Sequence, residues 1–144
     1  MAKINFRSGD RAFAFPNKTI IKAFIEKLIK KEGGVLSDIN YIFCSDKFLL
    51  QMNRDFLQHD YYTDIITFGL SEKNQPIEAE IYISIDRVKD NALSLGVAYK
   101  EEMLRVIFHG ALHLCGYKDK TKSEISAMRA KEDQYLQLFA KTQK

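Results

Sequence analysis

The chain has 144 residues and a formal net charge of +3, with 46% hydrophobic and 28% charged residues. This composition is that of an ordinary globular domain, and the chain is long enough to bury a core without disulfides or a structural metal. It excludes a disulfide-rich secreted protein, because only two cysteines are present, and no apolar run reaches the roughly 18 residues of a membrane span. We therefore expect a single domain over residues 1–144, in the cytoplasm and without a membrane partner.

The first half of the chain predicts alternating strands and helices. A short strand near residues 4–6 precedes a helix over residues 18–32, which two glycines end. Alternating apolar residues predict a half-buried strand around residues 39–43, followed by a helix over residues 46–57. The first helix has a predicted core-facing stripe formed by Ile20, Ile21, Phe24, Ile25, Leu28 and Ile29.

The second half predicts a hairpin followed by helices. Turn residues at 71–76 separate strands over residues 64–68 and 77–84, so we expect these strands to pair antiparallel. Helices follow over residues 86–95 and 100–114, and the second is apolar on most sides, which predicts a central, buried helix. The expected fold class is α+β: a small mixed four-stranded sheet packed against several helices, with a metal site on that central helix.

Two histidines on the predicted central helix indicate metal binding. His109 and His113 are four residues apart, so they share one helix face with Cβ atoms about 5 to 6 Å apart. Two imidazoles on one face can converge on a divalent ion, and the helix break at Gly116 can fold Asp119 back as a third ligand. Three protein ligands with an open fourth position are typical of catalytic zinc sites. We expect one Zn²⁺ ion held by His109, His113 and Asp119.

Gly110 narrows the class of enzyme. It occupies the place of the general-base glutamate in the H-E-x-x-H motif of zinc metalloproteases, which disfavours a peptidase. A glycine here either leaves room above the metal for a substrate backbone or lets the helix pack closely against a neighbour. The sequence leaves both open. It also identifies no catalytic base, since the remaining histidine, His59, fits a surface-loop role better.

Basic residues follow the proposed ligands at the start of the last helix. A capping-box pattern at residues 121–124 opens this helix, which we expect to end near residue 139. The bases predict a positive rim for a phosphate-bearing partner, or else a solvated face, because acids such as Glu132 interleave with them. The predicted core positions of the helix are Ile125, Met128, Tyr135, Leu136 and Phe139. The bases of the rim are Lys118, Lys120, Lys122, Arg129 and Lys131.

The residues around the histidine pair resemble a known family. The segment H-G-A-L-H-L-C-G-Y at residues 109–117 is similar to the signature H-G-x-L-H-L-x-G-Y of the YbeY endoribonuclease family, the bacterial rRNA maturation factors. Met52-Asn53 is similar to the family's L-N segment, residues 63–68 to its T-D-V-L-S-F strand, and residues 79–84 to its G-D-I-x-I-S strand. Order and spacing also match, so the resemblance covers roughly residues 40–120.

Two departures from the family pattern bear on function. Asp119 stands where the family usually has a third histidine, which leaves two histidines and one carboxylate, still a catalytic zinc set. Leu57 stands where the family usually has an arginine thought to serve phosphate binding or catalysis. Arg54, one helical turn earlier, either replaces that arginine in RNA binding or is an ordinary exposed helix residue.

The resemblance implies a zinc-dependent, single-strand-specific endoribonuclease that acts in maturation of the small-subunit rRNA 3′ end and in ribosome quality control. The metal would activate water to attack the scissile phosphate. The implied partners are rRNA and the small ribosomal subunit, with contacts to a ribosomal protein or an assembly GTPase, and no DNA. The alternative is a non-catalytic ribosome-assembly or RNA-binding factor with a structural metal, which Leu57 favours; a metalloprotease is third.

Overall fold

The computed structural model of the protein describes residues 3–143. Its strands are β1 (Ile4–Ser8), β2 (Leu36–Cys44), β3 (Ile65–Gly69) and β4 (Ile77–Ser84). Its helices are α1 (Lys18–Lys31), α2 (Asp46–Leu57), α3 (Ile85–Leu95), α4 (Tyr99–Leu114) and α5 (Lys122–Thr142). The strands form one mixed sheet in the order β1-β2-β4-β3. The predicted α+β class with a four-stranded sheet is confirmed.

The sheet combines parallel and antiparallel pairs. β1 pairs with β2 and β2 with β4 in parallel, and parallel neighbours need crossover segments, here carrying α1 and α2. β3 pairs antiparallel with β4, with Ile65 opposite Ile83 and Thr67 opposite Ile81, so the predicted hairpin is confirmed. β3 therefore forms one edge of the sheet, and its first residue, Ile65, lines a cleft.

Helix α4 is the buried centre of the fold, as predicted. Ile107 and Phe108 are fully buried, and the Tyr41 hydroxyl of β2 donates a hydrogen bond of 2.9 Å to the Ile107 carbonyl. A Cβ atom on Gly110 would lie 3.0 Å from Cδ1 of Ile81 and 3.1 Å from Cδ1 of Ile65. Gly110 thus lets α4 pack closely on β3 and β4, and the alternative of room for a substrate at this position is wrong.

Two predicted core positions are exposed instead. Ile20 is 46% exposed and Ile125 is 50% exposed. The first turn of α1 borders a surface groove shared with α5, and the first turn of α5 overhangs a cleft, so neither turn is covered by the sheet. An apolar stripe marks a helix face, but only the stretch of that face that meets another element is buried. Helix α5 also runs three residues beyond its predicted end at residue 139.

Within residues 3–143, no helix is both long enough and apolar enough to cross a membrane.

Candidate active site

A cleft of about 450 Å³ opens between α4, α5 and the start of β3. The loop that returns from α4 brings Asp119 into its wall, because Gly116 adopts a φ of 107° and reverses the chain after the helix. The Thr121 hydroxyl and the Glu124 side chain then form the predicted capping box that starts α5. The ionisable side chains of the wall are Asp64, Glu102, Arg105, His109, Asp119, Arg129 and Glu132.

His109 is held on both ring nitrogens. Its Nδ1 lies 2.6 Å from Oε2 of Glu132, and its Nε2 lies 3.2 Å from Oδ2 of Asp119. Glu132 is only 4% exposed, and its other carboxylate oxygen accepts a hydrogen bond of 2.9 Å from Arg105. The Arg129 guanidinium lies 3.5 Å from the same oxygen. A buried carboxylate paired in this way keeps its charge, so Glu132 is a fixed acceptor for the imidazole.

This network sets the ionisation of the cleft. Burial lowers the pKa of His109, but the hydrogen bond and charge of Glu132 and the charges of Asp119 and Asp64 outweigh burial and raise it. Burial would raise the pKa of Glu132, but hydrogen bonds from His109 and Arg105 hold it below its usual value. The two groups thus stabilise each other's charged forms in the metal-free protein.

His113 has different surroundings one helical turn later. Its ring is exposed, and its Nδ1 lies 3.1 Å from the backbone carbonyl oxygen of Tyr117. The Tyr117 hydroxyl in turn donates a hydrogen bond of 2.7 Å to Glu32, which also accepts from the Tyr135 hydroxyl and lies 3.3 Å from Lys131 Nζ. The loop that holds His113 is therefore tied to both α1 and α5.

The donor set fits a divalent metal. In neutral His109 the proton stays on Nδ1, because Nδ1 lies 2.6 Å from the Glu132 carboxylate and Nε2 lies farther, 3.2 Å, from the Asp119 carboxylate. In neutral His113 the Tyr117 carbonyl, which only accepts, also holds the proton on Nδ1, so each Nε2 keeps its lone pair. Metal-ligating histidines are characteristically held through their other nitrogen in this way. The separation of His109 Nε2 and Asp119 Oδ2, 3.2 Å, is close to the roughly 3.3 Å expected for two ligands about 2.0–2.1 Å from a tetrahedral zinc ion.

The structure brings only part of the predicted ligand set together. His109 and Asp119 meet in the cleft, whereas His113 borders an adjacent groove beside Thr67 and Gly69 of β3. Among residues 3–143, no three histidine, cysteine or acidic side chains are grouped as metal ligands. The three-ligand zinc site stays a prediction, which requires His113 Nε2 to lie within ligand distance of the same ion as His109 and Asp119.

Sequence reasoning missed three acids of the cleft. Glu132 is buried against His109 rather than part of a solvated face. Glu102 is 6% exposed, and burial together with the charge of Asp64 raises its pKa. Burial also raises the pKa of Asp64, despite the nearby charge of His109. One sequence signal could have identified Glu102: it is an acid on α4, a helix that is otherwise apolar on most sides.

The predicted RNA-binding residues lie at different places. Lys118, Lys120 and Lys122 are exposed around Asp119, and Lys122 borders a shallow groove that continues from the cleft. Arg54 is 49% exposed, forms an ion pair with Asp60, and lies outside the cleft wall. Their role in RNA binding stays a prediction.

Comparisons with known proteins extend over nearly the whole chain. The family model described as endoribonuclease YbeY matches residues 3–140. Two proteins named endoribonuclease YbeY are similar: one from Cytophaga hutchinsonii is 53% identical over 94% of this chain and 94% of its own length. The other, from Porphyromonas gingivalis, is 41% identical over 99% of this chain and 93% of its own length.

The fold has a solved counterpart as well. A Thermotoga maritima protein with a known solution structure superposes with a TM-score of 0.65 and 28% identity, covering 94% of this chain and 88% of that one. The α+β fold of this chain is therefore similar to one that has been solved by experiment. The chain belongs to the endoribonuclease YbeY family.

Proposed function

We propose that this protein is a zinc-dependent endoribonuclease that cuts single-stranded RNA in rRNA maturation, including the small-subunit rRNA 3′ end, and in ribosome quality control. Family membership supports endoribonuclease activity. One observation carries the metal dependence: His109 has Nδ1 fixed by the buried Glu132 and Nε2 3.2 Å from Asp119. Metal-ligating histidines are commonly oriented in this way, by a carboxylate that accepts a hydrogen bond from the other ring nitrogen.

The side chains of the cleft would have different roles in metal and phosphate binding. His109, His113 and Asp119 would hold the ion, which would supply Lewis acidity to lower the pKa of a water and stabilise charge on the phosphate. Glu132 fixes the tautomer and orientation of His109, and Arg105 keeps Glu132 ionised. Arg129, 55% exposed at the cleft wall, is placed to attract a phosphate oxygen.

The surroundings of the cleft suit an anionic substrate at its rim. Lys118, Lys120 and Lys122 are exposed beside Asp119 and would contact the RNA backbone. We propose rRNA and the small ribosomal subunit as partners, with a ribosomal protein or an assembly GTPase as a further contact, and the cytoplasm as the place of action.

The test is cleavage of a labelled single-stranded RNA by protein purified free of other nucleases. We expect cleavage to need zinc and to be lost in His113→Ala, with the matched duplex resistant. Asp119→Ala should lose zinc and activity, whereas Asp119→His should keep zinc and activity, since it creates a three-imidazole set. Unchanged zinc affinity in Asp119→Ala would show that Asp119 is not a ligand. RNA binding without cleavage by the zinc-loaded protein would favour the assembly-factor alternative.

The basic rim is tested separately with salt. Changing Lys118, Lys120 and Lys122 together to Ala should weaken RNA binding and reduce the slope of log affinity against log salt by up to about two, since each phosphate contact on a single strand contributes about 0.7. An unchanged slope would show that these lysines are a solvated surface.

A further inference from the structure

The loop between α2 and β3 carries exposed rings beside the cleft. Tyr61 is 55% exposed and Tyr62 is 51% exposed, and His59 is exposed as well. At the end of α2, Phe56 is 65% exposed and Leu57 is 37% exposed. Isolated exposed apolar residues are common, whereas several exposed rings within one loop indicate a binding surface. Here we call His59, Tyr61 and Tyr62 the ring platform.

The ring platform is ordered before any ligand arrives. The His59 and Tyr61 rings stack with centroids 4.9 Å apart and planes 17° apart. The Arg87 guanidinium lies 4.8 Å from the centre of the Tyr62 ring, and Arg87 is itself fixed by an ion pair of 2.6 Å with Asp46. A preorganised surface loses little conformational entropy on binding, which favours a ligand that stacks on it.

The loop backbone is anchored at both ends of the platform. The His59 amide donates a hydrogen bond of 2.9 Å to the Asn53 carbonyl, and the Asn53 side-chain amide donates one of 2.8 Å to the Thr63 hydroxyl. Asn53 is fully buried in α2, so the loop is held by the protein core. The rings therefore keep a defined position relative to β3.

The platform is joined to the cleft wall through the chain. Thr63, Asp64 and Ile65 follow Tyr62 in the chain, and all three line the cleft that contains His109. The rings therefore lie one to four residues along the chain from the cleft wall. The platform is therefore placed to contact the nucleotides beside a phosphate held near His109.

The chemistry of the platform selects flat groups rather than anions. Each of the two arginines near the platform has an acid partner, Arg54 with Asp60 and Arg87 with Asp46, so each of these positive charges is balanced. Aromatic rings stack on any base, because every base has a π face. In a duplex the bases are stacked on one another and unavailable, so a stacking surface favours single strands.

We propose that His59, Tyr61 and Tyr62 form a stacking site for one or two unpaired nucleobases next to the scissile phosphate. The site gives the cleft its preference for single-stranded RNA with little dependence on sequence. This inference rests on the proposed endoribonuclease function, but the site acts in binding rather than in the chemical step.

The experiment combines ring variants with abasic RNA. Binding of a labelled single-stranded RNA is measured by fluorescence anisotropy with a chelator present, so that no cleavage occurs. We expect Tyr61→Ala and Tyr62→Ala to weaken binding about 5- to 150-fold, the range of one stacked base. Tyr61→Phe and Tyr62→Phe should bind like the unaltered protein, because they keep the ring. Leu93→Ala, which removes an exposed apolar residue of α3, is the surface control.

Abasic positions identify the stacked base. Replacing one nucleotide at a time by an abasic ribose should produce the same loss at one or two positions near the cleavage point. At those positions the abasic change should cause no further loss in Tyr61→Ala or Tyr62→Ala, as a double-mutant cycle requires for a direct contact. In cleavage assays with zinc, the alanine variants should raise KM with little change in kcat.

The outcomes separate the two proposals. Alanine variants that bind RNA normally, or losses that add to those of every abasic position, would overturn the stacking site while leaving endoribonuclease activity intact. Ring-dependent binding by a protein that never cuts RNA once it is loaded with zinc would support the stacking site and overturn the enzymatic proposal.

Discussion

The two histidines of α4 look equivalent in sequence, but their surroundings differ. His109 lies in the cleft, and its Nδ1 contacts a carboxylate that is 4% exposed and paired with Arg105. His113 is exposed, and its Nδ1 contacts only the Tyr117 main-chain carbonyl. A charged acceptor strengthens an imidazole as a ligand more than a carbonyl does. Two histidines on the same face of a helix are therefore not equally supported as metal ligands.

The largest expected effect is the loss of Glu132. Glu132→Ala removes an acceptor from both Arg105 and His109, while Asp133 still pairs with Arg105, so we expect a loss of about 1.5–3 kcal/mol in stability. Glu132→Gln keeps an oxygen acceptor without charge, and its zinc affinity should fall about 10- to 100-fold. Zinc affinity is measured by competition with a coloured chelator, and stability by urea unfolding.

Asp133→Asn is the matched control for Glu132. Asp133 also pairs with Arg105, at 2.6 Å, but it is 52% exposed and does not touch His109. Its substitution should leave zinc affinity unchanged, since exposed ion pairs contribute little. If Glu132→Gln binds zinc as tightly as the unaltered protein, Glu132 does not strengthen His109 as a ligand, and the two histidines are equally supported.

A smaller effect is expected on the His113 side. Tyr117→Phe and Tyr135→Phe each remove one hydroxyl donor to Glu32, so both should lower the free energy of unfolding by about 1 kcal/mol. Only Tyr117 lies in the loop whose carbonyl holds His113. We therefore expect Tyr117→Phe to lower zinc affinity a few-fold and Tyr135→Phe to leave it unchanged. Equal losses of zinc affinity would show that the Glu32 contacts act through general stability instead.

The smallest effect concerns Glu102, a buried acid of the same cleft whose side chain, unlike that of Glu132, forms no hydrogen bond or ion pair within residues 3–143. Burial raises its pKa above the usual 4.5, so the folded protein binds this proton more tightly than the unfolded chain. Its contribution to stability is complete below the unfolded pKa and is lost as the pH rises through the folded pKa.

Glu102→Gln should consequently raise Tm at pH 7 but not near pH 4. Melting is followed in a chelating buffer at both pH values, and Glu101→Gln, on the exposed side of α4, serves as the control. A lower Tm of Glu102→Gln at pH 7 would indicate that the Glu102 carboxylate has a stabilising partner.

Local patterns predicted most of the fold. Helical periodicity, glycine stops and the capping box at Thr121 placed the helices within a few residues, because these signals act between neighbours in the chain. The hairpin of β3 and β4 followed from the turn between them. Ile20 and Ile125 were assigned to the core wrongly, since burial depends on which element covers a helix face.

The sequence by itself determined the family, the helical histidine pair and the return of Asp119 to His109, because a nine-residue signature and a glycine break are local features. Only the tertiary structure decided that Glu132 holds His109, that Gly110 packs against the sheet, and that Glu102 and Asp64 share the cleft. These contacts join residues far apart in the chain. Their formation depends on how α4, α5 and β3 pack, which periodicity does not specify.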